Sequence, residues 1–395
     1  MTPPNPHLLA INTGSTSLKA ALFRLDETRE LTAAAGALGT ASATLVVRGA
    51  EGETLHQRTL ANAEHADVLA ALLEWLAQAG LLDSLAAVGH RVVHGGPKFA
   101  APCRVSEVLL EELERILPLD PEHLPQALGA IHAIAARLPG LPQVACFDTA
   151  FHRGMPAVAK LLPLPARYRD AGVERYGFHG LSYQYLVEQL RTLDPPEVGG
   201  RAVLAHLGGG ASLAAVLRGQ PLDTTMGFTP TGGLVMGTRT GDLDPGVLLY
   251  LLTVGGLSAK QLARLVNQEA GMLAVSGVSG EMRELLLRRA GDPAAAGAVA
   301  LFCYQARKLI ASMTSALGGL DTLVFAGGIG EHAAEVRAEI CAGLEFLGVH
   351  LDPGRNAQGA PIVSSGASAV VVRVLPTDEE RMICRLCVPL LARNA

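Results

Sequence analysis

Two stretches about half a chain apart read almost alike. Asn12-Thr13-Gly14-Ser15-Thr16-Ser17-Leu18-Lys19 follows the apolar run Leu8-Leu9-Ala10-Ile11, and His206-Leu207-Gly208-Gly209-Gly210-Ala211-Ser212 follows Ala202-Val203-Leu204-Ala205. Each predicts a strand, a glycine turn and a returning strand. Such a hairpin bares backbone N–H groups at its tip, and glycine lets a phosphate approach them closely. Meeting the device twice predicts a duplicated core that grips a polyphosphate from both sides.

At 395 residues the chain exceeds what one hydrophobic core usually supports, so two domains are expected. With 49% hydrophobic and 17% charged residues it reads as well-packed and globular. A formal net charge of -5 argues against a general nucleic-acid binder. No apolar run reaches the roughly 18 residues needed to span a bilayer. The opening Met1-Thr2-Pro3-Pro4-Asn5-Pro6-His7 lacks a basic n-region, and the cysteines are scattered rather than framed, so a cytoplasmic protein without membrane or nucleic-acid partners is expected. Cys384 and Cys387 form a C-x-x-C inside a segment that reads as helix, without a second pair. His90 and His94 have helical metal-pair spacing, yet Arg91-Val92-Val93 between them reads as strand. Neither is taken as a metal or redox site.

Along the first 150 residues short apolar strands are expected to alternate with amphipathic helices. Val68, Leu69, Leu72, Leu73 and Leu76 mark one helical face; Leu85 to Val93 is a buried strand running into Gly95-Gly96. A helix from Ser106 turns Leu109, Leu110, Leu113, Ile116 and Leu117 inward and stops at Pro118 and Pro121. Val144 to Phe147 is a strand ending in Asp148. In the second half the loop Met226 to Asp244 is too polar and glycine-laden to be an element. Ser258-x-x-Gln261 is a capping box, residues Pro293 to about Leu317 form a long Ala-rich helix, and the strand 321–326 closes in the turn Gly327-Gly328-Ile329-Gly330-Glu331. This alternation predicts an α/β fold.

The chain has no G-x-x-x-x-G-K-[ST], so a Walker-type phosphate loop is excluded. Phosphates must be held by the two hairpins and the Gly-Gly-Ile-Gly turn, where a turn into a helix supplies free N–H groups. Arg91, ending a buried strand, and Arg239, in Gly237-Thr238-Arg239-Thr240-Gly241-Asp242, have the forked donor geometry that suits carboxylate and phosphate oxygens. His179 sits in the glycine-flanked turn Tyr176-Gly177-Phe178-His179-Gly180. Asp148 lies at a strand's C-terminal end, where α/β sheets place functional groups. A hard cation accompanying ATP wants oxygen ligands, for which Asn12 and Glu379 are candidates.

These segments together resemble the acetate kinase family of actin-like kinases. The resemblance rests on Asn12-x-Gly14-Ser15-x-Ser17-Leu18-Lys19, Gly89-His90-Arg91-Val92-Val93-His94-Gly95-Gly96 and Phe147-Asp148-Thr149-Ala150-Phe151-His152. It continues through Tyr176 to Gly180, His206 to Ser212, Met226-Gly227-Phe228-Thr229-Pro230, Met236-Gly237-Thr238-Arg239, Gly327 to Glu331 and Thr377-Asp378-Glu379-Glu380. The segments run in the family's order over nearly the whole chain. The resemblance implies two actin-like (ribonuclease H-like) domains related by duplication, with the active site in the interdomain cleft. The first would span 1–149 with a returning 381–395 helix, and the second 150–380. It implies Mg2+ (or Mn2+) at Asn12 and Glu379, with ATP or ADP held by Lys19, His206, Leu207, Gly208, Gly209, Gly210, Glu281, Met282, Arg283, Gly327, Gly328, Ile329, Gly330 and Glu331. Arg91 would bind the substrate carboxylate, His179 and Arg239 would stabilise the migrating phosphoryl group, and Asp148 is the family's acidic catalytic residue. Val93, Leu119, Phe178 and Pro230 would wall the methyl group of acetate, and a homodimer is expected. The chain departs from the family at Gly209 (usually Asn), at Glu281 (usually Asp), near Leu119, where only Asp120-Pro121 stands for the usual His-Asn-Pro, and at His332 (usually Asn).

Acetate is already ionised at neutral pH, so a carboxylate nucleophile needs relief from charge repulsion rather than a base. Two guanidiniums, a divalent ion and a histidine suit that problem. The expected activity is reversible ATP-dependent phosphorylation of acetate, with a propionate kinase as the near alternative. An actin-like sugar kinase and a non-enzymatic ATP-driven switch are the distant ones.

Overall fold

The computed structural model describes residues 6–121, 123–193 and 200–391. The described chain divides into two compact units. One comprises residues up to Ala150, Gly180–Ser182 and those from Asp378 onward; the other comprises Phe151–His179 and Tyr183–Thr377.

In the first unit β1 (His7–Thr13) is buried along its whole length, as expected of an apolar run covered on both faces. It pairs antiparallel with β2 (Leu18–Arg24), Asn12 facing Lys19 and Thr13 facing Leu18. The meander continues through β3 (Arg29–Gly36), β4 (Thr44–Gly49) and β5 (Thr54–Thr59), so five antiparallel strands precede the first helix instead of the expected alternation. On its other side β1 runs parallel to β6 (Leu85–Val92), which is followed in the sheet by β8 (Gln143–Phe147) and the short β7 (Cys103–Arg104). Helices His65–Gln78 and Leu124–Arg137 bury Val68, Leu69, Leu72, Leu76, Ala130 and Ile134 against Leu9, Ile11, Leu22 and Val88. Helix Glu379–Leu391 packs on β1, β2, β6 and β8. A Cβ at Gly89 would lie 2.5 Å from Ile383 Cγ2 and 2.6 Å from Cys387 Sγ, so glycine is what allows that helix to sit down. Ser106 caps helix Glu107–Arg115 by accepting from Leu109 N–H, and the chain then passes into the 3-10 turn Leu117–Leu119.

The second unit repeats the plan. Strands β9 (Arg201–Leu207), β10 (Ala211–Leu217) and β11 (Gln220–Thr224) form the antiparallel meander, while β12 (Thr322–Ala326) and β13 (Val371–Val374) run parallel to β9. The order β11-β10-β9-β12-β13 therefore matches β3-β2-β1-β6-β8 in the first unit, which is the duplicated core that the hairpins pointed to and the α/β arrangement that the family resemblance implied. Helix Gly180–Leu193 buries Leu186, Val187 and Leu190 against Leu204, Ala214 and Val324. The long helix Pro293–Leu317 packs on β9, β10 and β11. Its limits follow from chemistry: Asp292 accepts from Ala294 and Ala295 N–H, Pro293 occupies the first turn, and Gly318 takes φ 70° to end it. The expected Gly-Gly-Ile-Gly turn is itself helical, Gly327–His332. Among the described residues no helix is long and apolar enough to cross a membrane.

Candidate active site

In the first unit the ends of β1, β6 and β8 bring three predicted side chains together. Arg91 Nε and Nη2 donate to Asp148 Oδ2 at 2.9 and 2.6 Å, and Arg91 Nη1 donates to Asn12 Oδ1 at 3.0 Å. Burial pulls the Arg91 pKa down, but Asp148, Glu379 and Asp120 outweigh it and hold the guanidinium above its ordinary value. Asp148 is fully buried, and its backbone is fixed by Val92 O and by Gly180 N–H at 3.1 and 2.9 Å. Burial is the largest influence on its carboxyl and raises the pKa; Arg91 opposes that and Glu379 reinforces it. Its second oxygen, Oδ1, has no hydrogen-bond partner among the described residues.

Asn12 Nδ2 donates to Glu379 Oε2 and to Glu380 Oε1, both at 2.9 Å. The amide is thereby assigned: oxygen toward Arg91, nitrogen toward the carboxylates. Glu380, not among the predicted site residues, has its pKa raised by burial and by Glu379. No group of three or more His, Cys, Asp or Glu converges among the described residues to hold an ion unaided. A hard divalent cation carrying a nucleotide keeps most of its waters and asks the protein for only one or two carboxylates. Glu379, Glu380 and the orphaned Asp148 oxygen are hard donors of that kind, so the residues fit such an ion. Lys19 is exposed beside Asn12 on β2; Val93 is buried and Leu119 half-buried.

In the second unit three predicted nucleotide segments converge through glycines. The turn 208–210 closes with Gly208 N–H on Gly210 O at 3.0 Å. A Cβ at Gly327 would lie 2.7 Å from Leu207 O, and one at Gly280 would lie 2.6 Å from Gly237 O, while Gly237 N–H reaches Gly209 O at 3.4 Å. This stacks the start of helix Gly327–His332 and the exposed Glu281, at the N-cap of helix Met282–Arg288 with Arg283 next to it, around the 206–210 hairpin tip. Glu331 folds back to accept from Gly327 N–H at 2.9 Å, and Gly328 is exposed with Ile329 half-buried beside it.

His179 adopts φ 58°, a left-handed conformation that a residue with a side chain rarely takes and that points to a constrained role. Its Nε2 and Arg239 Nη1 lie 3.2 and 3.8 Å from where a Gly210 Cβ would be, so both side chains border the hairpin tip. Arg239 Nη1 donates to Pro230 O at 3.2 Å. On its other edge His179 Nδ1 is 2.8 Å from Ser212 Oγ, which is 2.5 Å from the Tyr183 hydroxyl. The His179 and His206 rings stack at 4.3 Å. Phe178 is buried, its carbonyl accepting from His152 Nε2 at 2.9 Å. Ser212 and Tyr183 were missed as functional residues, although Ser212 closes the second hairpin motif and Tyr183 lies one helical turn beyond His179.

The sequence profile of the acetokinase family matches residues 7–385. An acetate kinase of Rhodopseudomonas palustris is 44% identical over 386 residues, covering 96% of each chain. Among solved structures, a propionate kinase from Francisella tularensis superposes with TM-score 0.90 at 34% identity, covering 96% of this chain and 98% of that one. The acetate kinase of Porphyromonas gingivalis gives TM-score 0.86 at 35% identity, over 98% and 100% of the two chains.

Proposed function

The chain belongs to the acetokinase family and phosphorylates acetate with ATP, and we propose that it does so by direct in-line transfer of the terminal phosphoryl group to the acetate carboxylate. The observation that carries this reading is the Arg91 guanidinium, pinned by Asp148 and Asn12 and held cationic in a half-buried position. A fixed cation at that place neutralises the nucleophile without protonating it, and guanidinium donors suit a carboxylate through charge-assisted hydrogen bonds. Asp148 orients Arg91 rather than acting as a base, because acetate has no proton to give up at neutral pH. Arg239 and His179 at the second hairpin tip donate to the phosphoryl oxygens as charge redistributes, and the backbone of 206–210, 281–283 and 327–331, with Lys19, binds the nucleotide.

Mg2+ or Mn2+ held by Glu379 beside Asn12, with Glu380 and Asp148 adjoining, would supply charge neutralisation on the nucleotide phosphates. Val93, Leu119, Phe178 and Pro230 supply the apolar surface for the methyl group. A homodimer is supported by helix Pro245–Thr253, which has no buried residue although Leu249 is 61% and Tyr250 59% exposed. A cytoplasmic location is supported by six cysteines that are all free thiols.

Arg91→Ala and Arg239→Ala are each expected to lose about 10²-fold or more in turnover, by analogy with removing one oxyanion-type donor, as measured by acetyl phosphate formation. Near-normal turnover in both single variants overturns the assignment. The close superposition on a propionate kinase favours a second reading, propionate as the preferred acid. Initial rates with the two acids side by side separate them, since one methylene is worth about 1–3 kcal/mol.

A further inference from the structure

We propose that Tyr183 and Ser212 are positioning residues that lock His179 in its Nε2–H tautomer, so that it faces the phosphoryl group as a neutral hydrogen-bond donor. The proposal rests on the placement of His179 at the phosphoryl group given above, and concerns how that ring is set.

A buried line of oxygen and nitrogen atoms sets where each proton sits. Tyr183, one turn into its helix with its N–H bonded to His179 O at 3.0 Å, is fully buried. Its oxygen interacts with the His206 backbone N–H, and burial raises its pKa, so the phenol keeps its proton. The acceptor within reach of that proton is Ser212 Oγ at 2.5 Å. Ser212 is also fully buried, so its own hydroxyl proton must find a partner in the protein, and His179 Nδ1 stands 2.8 Å away. Strand register fixes the arrangement, because Ser212 pairs with His206 across β9 and β10. Tyr183 therefore donates to Ser212 and Ser212 donates to His179 Nδ1, leaving the ring proton on Nε2.

Nε2 is the edge that borders the hairpin tip at Gly210. The opposite tautomer would present a lone pair to an anionic phosphoryl oxygen and leave one hydroxyl proton of the buried Ser212–Tyr183 pair without an acceptor. Protonating the ring would strand the same hydroxyl proton. The Arg239 guanidinium, which borders the same glycine, also disfavours a positive charge on the ring. A neutral Nε2–H donor keeps its hydrogen bond across the pH range in which a free histidine would titrate.

The test is long-range 1H–15N correlation NMR on the full enzyme with 15N-labelled histidine at pH 7, the His179 signal being identified by its loss in His179→Gln. The expected result is a pyridine-type Nδ1 and a pyrrole-type Nε2 that persist down to pH 6. A protonated Nδ1, or an averaged pair of nitrogens, overturns the proposal. Ser212→Ala and Tyr183→Phe are expected to move the signal toward a tautomer mixture, to lower kcat about tenfold, a fraction of the cost of losing a whole donor, and to leave both KM values within about twofold. Ser212→Thr, which restores the hydroxyl, is expected to restore both readouts. A wild-type tautomer state retained in Ser212→Ala also refutes the relay. If His179→Gln has normal turnover, the placement of His179 at the phosphoryl group fails instead, while the tautomer result is decided independently.

Discussion

Acidification should weaken the second unit through His152. The ring is fully buried, donates from Nε2 to Phe178 O at 2.9 Å, and has no partner for Nδ1 among the described residues. Burial, only partly offset by that hydrogen bond, drops its pKa from 6.5 to about 4. The folded-state value lies below the unfolded one, so the unfolded chain takes up the proton first. The stability this neutral ring contributes is complete above about pH 6.5 and drains away as the pH falls toward 4. The full window of 2.5 units corresponds to about 3 kcal/mol, of which about 2 kcal/mol is lost between pH 7 and pH 5. Urea unfolding followed by circular dichroism at both pH values reads this directly. His152→Gln should be weaker at pH 7, because the donor to Phe178 is misplaced, yet its further loss on going to pH 5 should be smaller than the wild-type loss by about 2 kcal/mol. Equal losses in the two proteins would show that this imidazole is not held neutral, and the reasoning from burial would be wrong. His90, also lowered to about 4 by burial against the Gln143 bond, adds a parallel loss in the first unit that the variant leaves untouched.

Gly327→Ala places a methyl 2.7 Å from Leu207 O at φ 73°; we expect the KM for ATP to rise about tenfold and thermal stability to fall by roughly 1–3 kcal/mol, and unchanged ATP kinetics would detach this turn from the nucleotide. Asp148→Asn should raise the KM for acetate more than that for ATP, because the carboxylate holding Arg91 is gone; an unaltered KM for acetate with an unaltered rate would remove Asp148 from the orienting role. Leu249→Glu combined with Tyr250→Glu should shift sedimentation from dimer to monomer, and a dimer that persists would place the subunit contact elsewhere.

The parts of the fold that could be read from the sequence are those where local chemistry and tertiary placement agree. Helix Pro293–Leu317 announced itself by its alanine-rich run, and its Asp292 cap, first-turn proline and closing Gly318 agree with that placement. Both hairpins were visible because apolar runs flank their glycines. Strands β3 to β5 were not, since Arg29-Glu30-Leu31-Thr32-Ala33-Ala34-Ala35-Gly36 favours helix by composition and becomes a strand only by pairing with β2. The Gly327 turn was legible, but not that its glycines begin a helix. At the site, Arg91 and Asp148 stood out through their positions at strand ends. Glu380 and the Tyr183–Ser212 pair did not, because their roles depend on which atoms face each other across a sheet or along a helix, and spacing in one dimension carries no such information.

Helix Glu379–Leu391 covers the face of a sheet whose first strand begins at His7, and it brings Glu379 and Glu380 to Asn12. During translation, then, the opening sheet waits with that face bare until some 370 residues have followed it off the ribosome. A chain interrupted anywhere before this helix leaves two acidic side chains missing and apolar strands uncovered. Quality control would meet such a fragment as an aggregation hazard rather than as a weak enzyme.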